Sequence, residues 1–465
     1  METIWRPRLE DKDGPLYRAI ADCLAEDIDG GGLEAGARLP TMRALADAVG
    51  VTVGTVYRAY GLAEKRGLIS REMGRGSFVR THPSAARGER AGAGEVLDLS
   101  RNQPPDIRVE ETLRRALIEM GREADLSGML DYGTSQGTAR HRKVLARWLA
   151  GHGARFDPQS LIVTSGAQQA LTVTLAALSR PGDCLLVEEL TYPGIKSLAR
   201  IFGLELKPLA MDDGGLRPEA LEAALSETPL SETPAGRLLY CMPNAHNPTT
   251  ATLDEARRRE IARIAARADL LIVEDDVNPR RADDALPTLA SLHPARTVYI
   301  SSLSKIMAPG LRIGALAAPG ELLDDLLAAA QTTNWMAPPL MAELACRWIE
   351  DGTADVLERE RNLVIGRVQA LAEAAFKGLD YRIATDNPNL WLKLGPRWQG
   401  ADFAALAESC GVITSPSHSF AIAPGTGAPA VRLSLTERDE ALLRRGLKRL
   451  AELVGEGPRP LAFQM

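Results

Sequence analysis

The sequence predicts a multidomain chain. A small α+β module of three helices and a hairpin comes first, followed by an α/β domain with a large, mostly parallel sheet and then a smaller C-terminal α/β domain. Three observations carry this. At 465 residues the chain exceeds one ordinary domain. From about residue 96 onward, short apolar runs (LIVT, DCLLVEE, RLLYCMP, DLLIVEDD, TVYISSLSK) alternate with stretches of helical period, the pattern of strands joined by crossover helices. Between the two blocks, THPSAARGERAGAGE at 81–95 is Pro-, Gly- and Ala-rich and reads as a flexible linker. The expected boundaries are therefore 1–80, linker 81–95 and 96–465, the last divided into a large part near 125–335 and a small part near 340–465.

Composition narrows the function classes. Apolar residues are 45% and charged residues 25%, an ordinary globular mix. No apolar run is long enough for a membrane span, and METIWRPRLEDKDG lacks a signal-peptide core, so the expected location is the cytoplasm. Cys23, Cys184, Cys241, Cys346 and Cys410 are widely spaced with no CxxC pair, which suggests neither a zinc site nor a disulfide framework. The net charge is −6, yet residues 37–80 hold eight Lys/Arg against three acids. A basic segment in an acidic chain can face a polyanion, although short basic stretches are also common solvated surfaces.

In order along the chain, Leu16, Ile20, Leu24 and Ile28 form one apolar stripe of a first helix. Thr41 is placed to cap a second helix that stops at Gly50, and Thr52 to cap a third. Two short helices across a tight Gly turn make a helix-turn-helix, and LISREMGRGSFV reads as a hairpin wing, giving a winged helix-turn-helix. A third helix of this width enters a DNA major groove with its first residues at the base edges, so Thr52, Thr55, Tyr57 and Arg58 are candidates for base contact. Arg43, Arg71 and Arg75 are candidates for phosphates. A three-helix module used only for protein contacts fits the same pattern.

Four features of the second block suggest chemistry. Lys305, in Ser301-Ser302-Leu303-Ser304-Lys305 after TVYI, can form a Schiff base with an aldehyde cofactor, or it is a surface loop lysine. Asp275 ends the strand LLIVED, where α/β sheets bind ligands; it can hold a pyridine nitrogen protonated, or be a turn acid or metal ligand. The turn Ser165-Gly166-Ala167 leads into a helix whose N–H groups can reach a phosphate, with Arg312 and Ser302 adding donors, but such βα turns are common. Asn247, in His246-Asn247-Pro248-Thr249, can donate to a phenolate, or simply form a turn.

Over nearly all of GARLPTMRALADAVGVTVGTVYRAYGLAEKRGLISREMGRGSFV the chain resembles the GntR-type winged helix-turn-helix. The ordered series SGAQQ, TYPG, HNPT, EDD, SLSK, GLRIG and VRLSL, over roughly residues 96–455, resembles the fold-type-I aminotransferases dependent on pyridoxal 5'-phosphate (PLP). That resemblance implies PLP as cofactor, with Lys305 as the internal-aldimine lysine, Asp275 on the pyridine nitrogen, Asn247 on the ring phenolate and Tyr192 stacked on the ring. It implies phosphate contacts from Ser165, Gly166, Ala167, Ser302 and Arg312. Tyr132, in DYGTSQG, is implied to reach the neighbouring subunit's phosphate, and Arg432 to grip an effector carboxylate. Both blocks in one chain are similar to the MocR subfamily of GntR-like regulators.

The subfamily resemblance implies a homodimer, domain-swapped, on paired half-sites of double-stranded DNA, sensing an amine or amino-acid effector by aldimine exchange at Lys305. A working aminotransferase with an autoregulatory DNA-binding domain, or a DNA-binding protein with a vestigial empty domain, are the alternatives. Val277 and Asn278 stand where working aminotransferases carry a Tyr that bonds the phenolate, and NPTG reads Asn247-Pro248-Thr249-Thr250. At most weak aminotransferase turnover is therefore expected.

Overall fold

A computed structural model describes residues 5–7, 15–29, 33, 37, 39–65, 68–72, 76–79, 96–107, 109–123, 126–227 and 237–458. The chain divides into two compact units, Met1–Gly94 and Glu95–Met465.

The first unit holds α1 (Leu16–Asp29), α2 (Met42–Val49), α3 (Val53–Lys65) and an antiparallel hairpin of β1 (Ile69–Glu72) and β2 (Gly76–Val79). Thr41 accepts the Ala44 N–H at 3.2 Å as the cap of α2. Gly50 ends that helix in the left-handed region at φ 73°. Thr52 caps α3, accepting the Thr55 N–H at 3.2 Å. Ile20 and Leu24 pack with Leu45, Val56, Ala59, Tyr60, Ile69 and Val79 in one core. Leu16, expected on the same stripe, is instead 51% exposed, because α1 begins there, one turn short of the core.

In the second unit seven strands form one sheet: β3 (Leu161–Thr164), β4 (Cys184–Glu188), β5 (Glu205–Leu209), β6 (Arg237–Cys241), β7 (Leu270–Asp275), β8 (Thr297–Ser302) and β9 (Gly314–Ala317). Their spatial order is β3-β9-β8-β7-β6-β4-β5. All pairings are parallel except those of β9, which runs antiparallel between β3 and β8. Both faces are covered, so most strands are unbroken apolar runs rather than alternating ones. Leu161 and Val163 pack toward Trp148, Leu149 and Trp348. Ile162 and Leu316 pack toward Leu171, Leu175 and Leu326.

A smaller antiparallel sheet follows, with strands β10 (Tyr381–Ile383), β11 (Asn389–Lys393), β12 (Ser415–Pro416) and β13 (Ala430–Ser434) in the order β10-β11-β13-β12. The division between the two parts departs from the expected one. The helix Pro339–Glu350 packs with the large sheet through Leu344 and Trp348, and the boundary falls inside the long helix Thr353–Ala375. Leu357 of that helix sits in the large core, whereas Val368 and Ala372 sit in the small one. The small part also recruits the start of the unit. Leu97–Asp98 pairs in parallel with Val412–Ile413, and Leu97 and Leu99 are buried among Phe403, Leu443 and Leu447. Gly446 leaves the space for this: a Cβ there would stand 2.2 Å from Leu97 Cδ2. Among the described residues no helix is long and apolar enough to cross a membrane.

Candidate cofactor, effector and DNA-binding sites

On α3 the residues Val56, Ala59, Tyr60 and Ala63 face the core, which leaves Tyr57 (59% exposed) and Arg58 on the open face. Val53, one turn earlier, is exposed on the same face and was not foreseen, because an apolar residue in a helix reads as core. Arg43 is exposed on α2. Thr52 and Thr55 bond each other at 2.9 Å, so Thr52 serves the helix start as well as facing outward. Arg71 is described by its backbone, opposite Ser77 in the hairpin. Arg75 and the linker 81–95 lie outside the described residues.

In the second unit the C-terminal ends of the parallel strands converge on a cavity of about 660 Å³ whose wall includes Lys305, Asp275, Asn247, Tyr192, Ser302 and Arg312. This is where ligands sit in open α/β sheets. Lys305 follows β8 in a single helical turn, Leu303–Lys305, and its Nζ donates to the Asn102 carbonyl. Burial pulls its ammonium down to about 8, helped by the cations Arg432, Arg361 and Arg312 and opposed by Asp275.

Three successive acids end the β7 segment, and their partners separate them. Glu274 accepts the N–H groups of Leu289 (2.9 Å) and Ala290 (2.8 Å). Asp276 accepts from Asn244 (2.9 Å) and from the Tyr299 hydroxyl (2.8 Å). Among the described residues Asp275 accepts only from the Tyr240 hydroxyl (2.6 Å), and its buried Oδ1 has no partner there. Burial raises the Asp275 carboxyl to about 7. A buried carboxylate oxygen without a donor is costly, and a protonated ring nitrogen supplies the missing one.

An anion cradle lies at the start of the helix Ala167–Leu178. Gly166 begins it at φ 86° with no side-chain cap, so the first N–H groups stay open. A Cβ on Gly166 would stand 2.9 Å from Arg312 Nη2, so only glycine lets the guanidinium close on the turn. Arg312 also donates to the Ser165 carbonyl at 3.3 Å. Ser302 donates to the Ser304 hydroxyl at 3.0 Å. Ser304, which lines the cavity, was missed although it directly precedes Lys305. Tyr192 donates to Gln168 at 3.0 Å, and both line the cavity beside Ala167. The free carboxylate oxygen, the buried lysine and the uncapped helix start with its arginine together fit PLP.

Arg432 and Tyr132 stand outside that wall. Arg432 is 5% exposed and donates to Asn247 Oδ1 (2.8 Å), the Ser100 carbonyl and Ser415 (3.3 Å), with its guanidinium 5.0 Å from the Phe420 ring. All these partners are neutral, and burial lowers the guanidinium to about 10. Tyr132 is 84% exposed and meets Trp335 edge-on at 5.4 Å. Asn278, at the position of the usual tyrosine, donates weakly to the Ala245 carbonyl at 3.4 Å.

Residues 94–450 match the family model for aminotransferase class I and II, and residues 16–79 match that for bacterial regulatory proteins of the gntR family. The chain is 30% identical over 434 residues to the HTH-type transcriptional regulator YdeF of Bacillus subtilis (strain 168), covering 93% of this chain and 92% of that one. It is 29% identical over 344 residues to aromatic-amino-acid aminotransferase 1 of Thermococcus litoralis, covering 70% and 80%. Among solved structures, LysN, the α-aminoadipate aminotransferase of Thermus thermophilus, complexed with N-(5'-phosphopyridoxyl)-L-leucine, is similar at TM-score 0.68 and 25% identity, covering 78% of this chain and 92% of LysN. These matches and the two units define a transcription regulator that joins a DNA-binding winged helix-turn-helix to an aminotransferase-like PLP domain. The chain belongs to the aminotransferase class I and II family and, through its gntR-family N-terminal unit, to the MocR subfamily of GntR-type regulators.

Proposed function

We propose that the protein is a homodimeric, domain-swapped regulator whose binding to paired DNA half-sites is set by a small amine or amino acid taken up at Lys305. PLP, when bound, offers an aldehyde that condenses reversibly with primary amines. Asp275 holds the ring nitrogen's proton, Asn247 uses its amide N–H on the ring oxygen, and Tyr192 covers the ring face. Ser165, Gly166, Ala167, Ser302 and Arg312 hold the phosphate, with Tyr132 reaching the partner chain's phosphate. Lys305, lowered to about 8, carries a usable neutral fraction near pH 7. Arg432 takes the effector carboxylate, since a buried guanidinium with only neutral partners gains by meeting an anion. On the DNA, Thr55, Tyr57 and Arg58 read base edges with Thr52 beside them, and Arg43, Arg71 and Arg75 meet phosphates.

One observation carries this reading. The carbonyl of Ser100 occupies Arg432, the group an effector carboxylate would engage, and two residues on in the same segment the carbonyl of Asn102 accepts from Lys305, the amine that aldimine exchange would free. That segment directly follows Leu97–Asp98, the first described strand after the linker. An effector whose carboxylate takes over Arg432 displaces the Ser100 carbonyl and shifts the chain next to the linker, and it changes DNA binding to the extent that it favours one arrangement.

The test is DNA binding by the PLP-loaded protein with and without a panel of amines, at fixed salt because phosphate contacts make affinity salt-dependent. The expected result is that one amine changes affinity or footprint and that Lys305→Ala removes the change. An unchanged response in Lys305→Ala overturns the proposal. The intact Lys305–Asp275 pair favours a second reading, an active aminotransferase. Sustained conversion of an amino acid and a keto acid, with DNA binding indifferent to every amine, would establish that reading instead.

A further inference from the structure

A second cavity, of about 750 Å³, shares only Asn278 with the Lys305 cavity. Its wall is drawn from both parts of the α/β unit. Thr250, Asn278, Arg280 and Asp284 come from loops of the large part, Arg361 from the long connecting helix, and Asp386 and Asn387 from the turn before β11.

The wall is polar, and several of its buried donors have no partner among the described residues. Arg361 is 5% exposed. Its Nη atoms donate to Asn362 Oδ1 (2.6 Å) and to the Asp386 carbonyl (2.8 Å), while its Nε has no partner. Asn387 is 1% exposed, and its Nδ2 is likewise unpartnered, although its Oδ1 accepts the Asn389 N–H at 2.9 Å. Thr250 Oγ1 is a third such atom. The arginines of the wall divide into two pairs. Arg281 is held by Asp355 and Glu358, and Arg382 by Asp213. Arg361 and Arg280 have no carboxylate within ion-pair distance among the described residues. On the same wall, Asp284 and Asp386 are exposed carboxylates that also lack an ion-pair partner among the described residues.

We propose that this cavity is a second small-molecule site, built for a zwitterion. The carboxylate of the ligand lies on Arg361, Arg280 and the Asn387 amide, where charge-assisted bonds are strongest. Its ammonium lies toward Asp284 and Asp386. Because the walls come from two parts of the unit, an occupant favours whichever separation of those parts fits it. This site is distinct from the reading at Lys305 and stands or falls without it.

The experiment measures binding of N,N-dimethylglycine and 4-(dimethylamino)butanoate to the full-length, PLP-loaded protein by calorimetry. Both carry a carboxylate and an N–H ammonium, and as tertiary amines neither can condense with an aldehyde. The expected result is saturable binding of one or both at one site per chain, without change in the cofactor's visible absorption. Binding should be retained in Arg432→Gln and weakened about tenfold or more in Arg280→Gln, which removes a charge that makes no ion pair among the described residues. Arg361→Gln should act in the same direction. No saturable binding of either probe, loss in Arg432→Gln, or unchanged affinity in Arg280→Gln overturns the proposal.

Discussion

Of the three adjacent acids at the end of β7, Asp275 alone keeps an oxygen without a partner among the described residues, and Tyr240 holds its other oxygen. Tyr240→Phe removes a buried hydrogen bond to a charged group, worth roughly 1.5 to 3 kcal/mol. Apo-protein carrying it should bind PLP about ten- to a hundredfold more weakly in an absorbance titration. Wild-type affinity in that variant would mean Asp275 is held by other means. Lys305 gives a second residue-level test. With its ammonium at about 8, the neutral, nucleophilic fraction rises as pH rises toward 8 and then levels off. In apo-protein, labelling of Lys305 by trinitrobenzenesulfonate should climb about tenfold from pH 6 to 7 and flatten above about 8, whereas ordinary lysines climb on toward about 10. At this scale the placing of Lys305 and Asp275 on the wall of one cavity was legible from their motifs. Tyr240 was not legible, because a tyrosine inside an apolar run reads as core. Nor were Ser100 and Asn102, which reach Arg432 and Lys305 across 332 and 203 positions of chain.

Elements were read more easily than their partners. The strands of the large sheet announce themselves as apolar runs, and Thr41, Gly50 and Thr52 punctuate the helices of the first unit as their chemistry dictates. The antiparallel β9 carried no signal, since four small or apolar residues fit either direction. The boundary within Thr353–Ala375 was equally silent, because one helix with apolar residues throughout serves two cores. The turn at Gly166 yields an element-level prediction. Gly166→Ala places a Cβ against Arg312 and at a φ of 86°, so it should cost about 1–3 kcal/mol in backbone strain and displace the guanidinium. Thermal melts should show the protein still folded, and PLP affinity should fall. Undiminished PLP affinity would remove this turn from the phosphate site.

For the whole molecule, the first unit carries a basic segment, residues 37–80, within an acidic chain, so its affinity for DNA should fall log-linearly with salt. Arg43→Gln should reduce that slope by about one and weaken all sequences alike, whereas Arg58→Ala should blur discrimination between sequences. Titrations of wild type and both variants at several salt concentrations separate the two, and equal effects from both would assign neither role. The strand Leu97–Asp98 has a temporal consequence. Its partner Val412–Ile413 leaves the ribosome roughly 15 to 60 s later at ordinary rates of synthesis. Throughout that interval the first unit is complete, while the small part's core still lacks Val412, β13 and the closing leucines Leu443, Leu447, Leu450 and Leu453. A transcript cut short before codon 412 should therefore yield a chain whose first unit is whole while its small part cannot close its core, and limited proteolysis should digest that part and spare the first unit.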